Sequence, residues 1–167
     1  MSINLFYHNM AAYKSAVSMM DRTGKAAVIH PTGTGKSFIG FKYAEEHPDS
    51  RILWLTPSDY IVKTQIENLK NEGGAELENI TFVTYAKLML MDDMELSELA
   101  PDTIICDEYH RAGAEKWQEG FERLIAMYPN AKLLGLSATN IRYLDNQRDM
   151  AEELFDGNIA SEMTLGE

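Results

Sequence analysis

The chain has 167 residues, 45% of them hydrophobic and 25% charged, enough for one domain with a sizeable core and ordinary for a globular protein. Its single cysteine, Cys106, excludes an internal disulfide and suits a reducing, cytoplasmic setting; neither a signal peptide nor a membrane span is expected. A formal net charge of −11 argues against broad adhesion to nucleic acid, which draws on basic surface, and leaves room only for a narrow binding strip.

In chain order, Met10, Tyr13, Val17 and Met20 share one helical face, and AAVIH (26–30) follows as a strand. A glycine-rich turn then leads into the helical stretch FIGFKYAEE, closed by the turn signal HPDS (47–50). RILWLT (51–56) is a second strand, and Val62, Ile66 and Leu69 repeat with helical spacing behind it. After NEGG (71–74) come the strands ITFVT (80–84) and TIICD (103–107), then a helical face of Trp117, Phe121, Leu124 and Ile125. YPN (128–130) precedes the last strong strand, KLLGLS (132–137). The final stretch, FDGNIASEMTLGE, is expected to be a short extra strand or the point where one lobe is cut from a longer protein.

Strands that are apolar throughout are buried on both faces, so this alternation predicts an α/β domain with a mainly parallel sheet and helices on both sides. Ligands of such sheets bind at the strand carboxyl ends. The residues there are PTGTGKS, TPSDY, TYAKL, DEYH and SATN, where the unusual chemistry of the sequence also falls.

HPTGTGKS (30–37) fits a phosphate loop between a strand and a helix. Backbone amides of Thr32, Gly33, Thr34, Gly35 and Lys36 would cradle phosphate, helped by the positive end of the following helix. The two glycines permit close approach. Lys36 would reach the outer phosphates of ATP, and the Ser37 hydroxyl would ligate Mg2+. His30 stands where the strict pattern begins with glycine. In IICDEYH, two adjacent carboxylates close a buried strand, a costly placement unless a cation or water shares it. Asp107 would hold magnesium, and Glu108 would orient and deprotonate an attacking water. His110, two residues on, would bond a neighbouring loop.

Taken in order, PTGTGKS, DEYH and SAT (137–139) resemble the first motor lobe of superfamily-two helicases and translocases, and more closely the DExH-type proteins related to restriction-enzyme motor subunits. The resemblance covers nearly the whole chain and implies a P-loop NTPase of RecA-like architecture, with residues 1–167 forming one ATP-binding lobe. It further implies that Asn9 stands where an adenine-reading glutamine is usual. Pro57 and Ser58, with Thr84 and Tyr85, are implied to contact a nucleic-acid backbone. Ser137, Ala138 and Thr139 would couple that surface to the nucleotide, and Arg111 matches the arginine of a DExHR variant. A second lobe carrying arginines, expected beyond this chain in the same polypeptide, would complete the site. The implied activity is ATP hydrolysis coupled to DNA or RNA translocation or unwinding, nearly absent from the isolated lobe. The alternatives are a nucleotide-dependent nucleic-acid-binding switch and, with less support, a small-molecule phosphotransferase, for which no arginine-bearing lid is visible.

Overall fold

All five apolar runs form strands, at positions that differ from the sequence reading by no more than one residue. A computed structural model describes residues 7–31, 35–59, 63–64, 66–67, 70, 77–109, 117–138, 141–142, 148–149 and 154–162. Helix α1 (Tyr7–Thr23) runs into β1 (Lys25–Ile29), and α2 (Ser37–Glu46) leads to β2 (Ile52–Thr56). Then come β3 (Ile80–Thr84), α3 (Tyr85–Leu90), α4 (Asp93–Leu99) and β4 (Thr103–Asp107). Helix α5 (Gln118–Met127) precedes β5 (Lys132–Ser137). Residues Ile141–Arg142 (β6) and Arg148–Asp149 (β7) pair antiparallel, and Ile159–Glu162 form β8.

Among the described residues the main sheet has six strands in the order β3-β2-β4-β5-β1-β8, and every pairing in it is parallel. Strand β5 therefore lies between β1, which feeds the glycine-rich turn, and β4, which ends in the acidic pair. The short extra strand expected in the C-terminal stretch is present: β8 extends the sheet beside β1.

Alternate strand residues face opposite sides. Ala27, Ile29, Leu53, Leu55, Ile104, Cys106 and Leu133 pack under α3, α4 and α5. Ala26, Val28, Ile52, Trp54, Ile105, Leu134 and Leu136 pack under α1 and α2. Each large aliphatic side chain so buried contributes about 1.5–3 kcal/mol. Helix α4 starts at a capping box: the Asp92 carboxylate accepts from the Glu95 amide, and the Asp92 amide donates to the Glu95 carboxylate.

Helix α2 is seated on the sheet by an aromatic stack, Phe41 against Trp54 at 4.9 Å between ring centres. A methyl group on Gly40 would lie 2.5 Å from the buried indole. Gly40→Ala is therefore expected to destabilise the fold by about 1–2 kcal/mol in urea unfolding, the overpacking exceeding the gain in helix propensity. Unchanged or increased stability would show that the indole gives way and that this contact does not set the seating of α2.

Candidate functional site

The glycine-rich turn leaves β1 at Pro31; Thr32, Gly33 and Thr34 lie outside the described residues. Gly35 has φ 74°, a left-handed conformation that favours glycine. Lys36 follows at φ −60°, and Ser37 opens α2. Amides of the first turn fold back within the turn itself, Phe38 N–H to Gly35 O and Ile39 N–H to Lys36 O, each 3.0 Å. No acidic side chain occupies that first turn, so the positive end of the helix keeps its attraction for an anion.

Across β5, strand β4 ends at Asp107, which is 3% exposed. Glu108 then turns the chain at φ 50°. A side chain in that left-handed region costs about 1–2 kcal/mol and persists only where the surroundings hold it. Here they do. The buried Tyr85 hydroxyl donates to the Asp107 carbonyl at 2.9 Å, and its ring stacks on Trp117 at 5.8 Å. Tyr109, fully buried, packs edge-on against Phe155 at 5.0 Å. Held this way, Glu108 Oε1 lies 3.5 Å from Lys36 Nζ, with side-chain exposures of 27% and 11%. The turn and the acidic strand end thus converge above the end of β5.

The same burial governs nearby titration. Tyr85 is pushed well above the ordinary phenol value by burial, then by Cys106, Asp107 and Glu108, so its hydroxyl stays a donor. Burial, followed by Asp107, pushes the Cys106 thiol up as well. Tyr85→Phe would leave the carbonyl at the acidic turn without that donor. It is expected to cost about 1–2 kcal/mol in chemical denaturation. A variant as stable as the parent would remove Tyr85 from the support of the turn.

The remaining expected site residues divide. Pro57 and Ser58, partly exposed, follow β2, and Thr84 ends β3 beside them. Thr84 also caps α3, its side chain accepting from the Lys87 amide. Tyr85, expected on the nucleic-acid surface, is fully buried instead: it is the first residue of α3, and its ring points into the core. Its hydroxyl is spent on the Asp107 carbonyl, so the side chain supports the acidic turn from within rather than meeting a partner. Asn9 is 1% exposed, and its Oδ1 lies 3.3 Å from His30 Nδ1. Ser137 is buried, its carbonyl accepting from the His30 amide at 3.0 Å, and Ala138 is partly exposed. His110, Arg111 and Thr139 lie outside the described residues.

Sequence reasoning missed Thr56. The register pairs Leu55 with Cys106, which sets Thr56 beside Asp107, and alternation turns both toward α2. Its hydroxyl is buried with no hydrogen-bond partner among the described residues. The only signal in the sequence is a hydroxyl at the end of an otherwise apolar strand. A groove of about 640 Å³ between α1 and the end of α2, lined by Tyr13, Asp21, Glu46 and His47, lies at the opposite end of the strands.

A parallel sheet with a lysine-serine turn after β1 and an acidic end on β4 defines an α/β P-loop NTPase fold of the RecA-like type. Residues 2–142 match the family described as "Type III restriction enzyme, res subunit", and the chain belongs to that family. No curated protein matches it by sequence. Its fold is similar to a hypothetical ATP-dependent RNA helicase from Sulfolobus tokodaii, at 16% identity and TM-score 0.62 over 92% of this chain and 52% of that one. It is similar to the Pyrococcus furiosus Hef helicase domain, at 17% identity and TM-score 0.67 over 95% of this chain and 38% of that one. It is also similar to the ATP-dependent Type ISP restriction-modification enzyme LlaBIII bound to DNA, at 18% identity and TM-score 0.67 over 97% and 15%. The chain thus spans about half or less of the length of these proteins. Among the described residues no helix is long and apolar enough to cross a membrane.

Proposed function

We propose that this chain is the ATP-binding first lobe of a DExH-type nucleic-acid helicase or translocase. The observation that carries the reading is the 3.5 Å approach of Glu108 to Lys36 across β5, which sets a phosphate-binding cation and a candidate base at one point. The residues also fit a hydrated magnesium ion. Ser37 and Asp107 offer one hydroxyl and one carboxylate, a set that leaves several waters on such an ion, and the Thr56 hydroxyl beside Asp107, without a hydrogen-bond partner among the described residues, suits a site that is wet when filled. Magnesium would neutralise charge on the outer phosphates of ATP.

The protein's own groups do the rest. Lys36 and Glu108 neutralise one another, and an arriving phosphate takes Lys36 over. Glu108 is then free to accept a proton from water as the water oxygen bonds to the terminal phosphorus. The bond to the bridging oxygen breaks, leaving ADP and phosphate. Pro57, Ser58 and Thr84, at the ends of neighbouring strands, suit sequence-blind contact with a DNA or RNA backbone. Ser137 ends β5, between β4 and β1, and with Ala138 and Thr139 would couple that surface to the nucleotide. His110 would bond a neighbouring loop, and a second lobe would bring the arginines.

Such an arginine contributes about 10³–10⁵ in rate. The chain alone is expected to bind Mg·ATP weakly and to hydrolyse it slower by about that factor than the protein extended by a second lobe. ATPase assays of both forms, with and without DNA or RNA, test this. Stimulation by nucleic acid and not by small acceptors supports the motor reading. Full turnover by the isolated chain would overturn it.

A further inference from the structure

We propose that His30 is a positioning residue that ties the phosphate loop to the last strand, so that nucleotide bound at the loop is felt at Ser161. The inference rests on the nucleotide-binding reading of the loop. His30 is the residue before Pro31, at the root of the loop, and is 1% exposed. Its backbone amide donates to the Ser137 carbonyl at 3.0 Å. Its ring bridges two further segments: Nδ1 lies 3.3 Å from Asn9 Oδ1 on α1, and Nε2 lies 2.8 Å from Ser161 Oγ on β8. With the Asn9 oxygen as acceptor, a neutral imidazole carries its proton on Nδ1 and accepts the Ser161 hydroxyl at Nε2. One residue therefore joins α1 and β8 through its ring, and the end of β5 through its amide, at the root of the loop. A glycine at this place, as in the strict loop pattern, could make neither ring contact.

Strand β8 is shaped for the contact. Its register against β1 slips between Ala27 and Val28, pairing Ala27 with Ile159 and Val28 with Ser161. The extra residue, Ala160, is pinned from α1, its carbonyl accepting from Ser15 Oγ at 2.7 Å. Such an irregularity re-aims the side chain that follows it, and here that side chain is Ser161, on the His30 ring. Asn9, expected from the resemblance to read adenine, serves in this assignment as the second anchor of the ring. A rearrangement of the loop around a triphosphate that moves residue 30 would reach β8 through this ring.

Hydrogen exchange of the chain with and without a non-hydrolysable Mg·ATP analogue tests the proposal, combined with calorimetric affinities for the parent, Ser161→Ala and Ser161→Thr. In the parent, the nucleotide is expected to slow exchange at residues 159–162 by about fivefold or more, as coupled sites do. Ser161→Ala is expected to bind about fivefold more weakly and to lose this protection while keeping that of α2; Ser161→Thr, which retains the hydroxyl, restores both. If Ser161→Ala lowers only the melting temperature, with affinity and protection unchanged, the proposal is overturned. Parent protein that binds and protects α2 without any change in β8 also overturns it, and leaves the nucleotide reading standing. Parent protein that binds no nucleotide overturns both.

Discussion

Lys36→Ala is expected to weaken Mg·ATP binding by about 100-fold, because truncating one partner of a desolvated charge pair costs about 2–5 kcal/mol. The Lys36 side chain is only 11% exposed, so water replaces little of what phosphate would gain from it. The fold itself should barely respond. The carboxylate that Lys36 meets, Glu108, is 27% exposed and keeps access to solvent, and a pair of this kind adds about 1 kcal/mol or less to stability. Calorimetric titration together with thermal unfolding separates the two effects. Affinity within threefold of the parent would mean that Lys36 does not contact the outer phosphates.

Substitutions at Glu108 are expected to move activity and stability in opposite directions. In the protein with its second lobe, Glu108→Gln should lower turnover by about 10²–10⁴ while nucleotide affinity is retained, because the amide keeps the shape and loses the base. Glu108→Gly should abolish the same step and yet stabilise the fold. The backbone at φ 50° is open to glycine, and about 1 kcal/mol of strain is released. For a chain of this length that corresponds to a rise of about 2–4 °C in melting temperature. Full hydrolysis by Glu108→Gln would remove the water-orienting role. A fall in stability for Glu108→Gly would show that the ion pair to Lys36 outweighs the strain.

Burial on both faces is what made the sheet legible. KAAVI, ILWLT and TIICD could be apolar almost without interruption because α1 and α2 cover one side and α3 to α5 the other. Strand β8 gave no such signal. IASE is short and half polar, and its place depends on β1, Ser15 and His30, partners more than 130 residues away. Helix α4 did carry a readable start, since Asp92 and Glu95 have the spacing of a capping box.

The shared placement of Lys36, Asp107 and Glu108 was legible because strand ends and a glycine-rich turn confine them to one edge of the sheet. The side-chain directions of Asn9 and Tyr85 were not, because a motif fixes the position of a residue along the chain and not where its side chain turns. Both sit at helix starts, and both turn inward to satisfy a polar neighbour, His30 in one case and the Asp107 carbonyl in the other. Thr56 was passed over for a related reason: nothing in a linear reading says that a strand-end hydroxyl is buried without a partner among the described residues.

The interposed strand β5 acts as a spacer gauge. Two inter-strand steps of about 4.8 Å separate β1 from β4, and that width is set by backbone pairing rather than by adaptable side chains. On the proposed reading, a phosphate drawn in by Lys36 therefore enters a frame of fixed width, with Glu108 held 3.5 Å from the lysine on its far side.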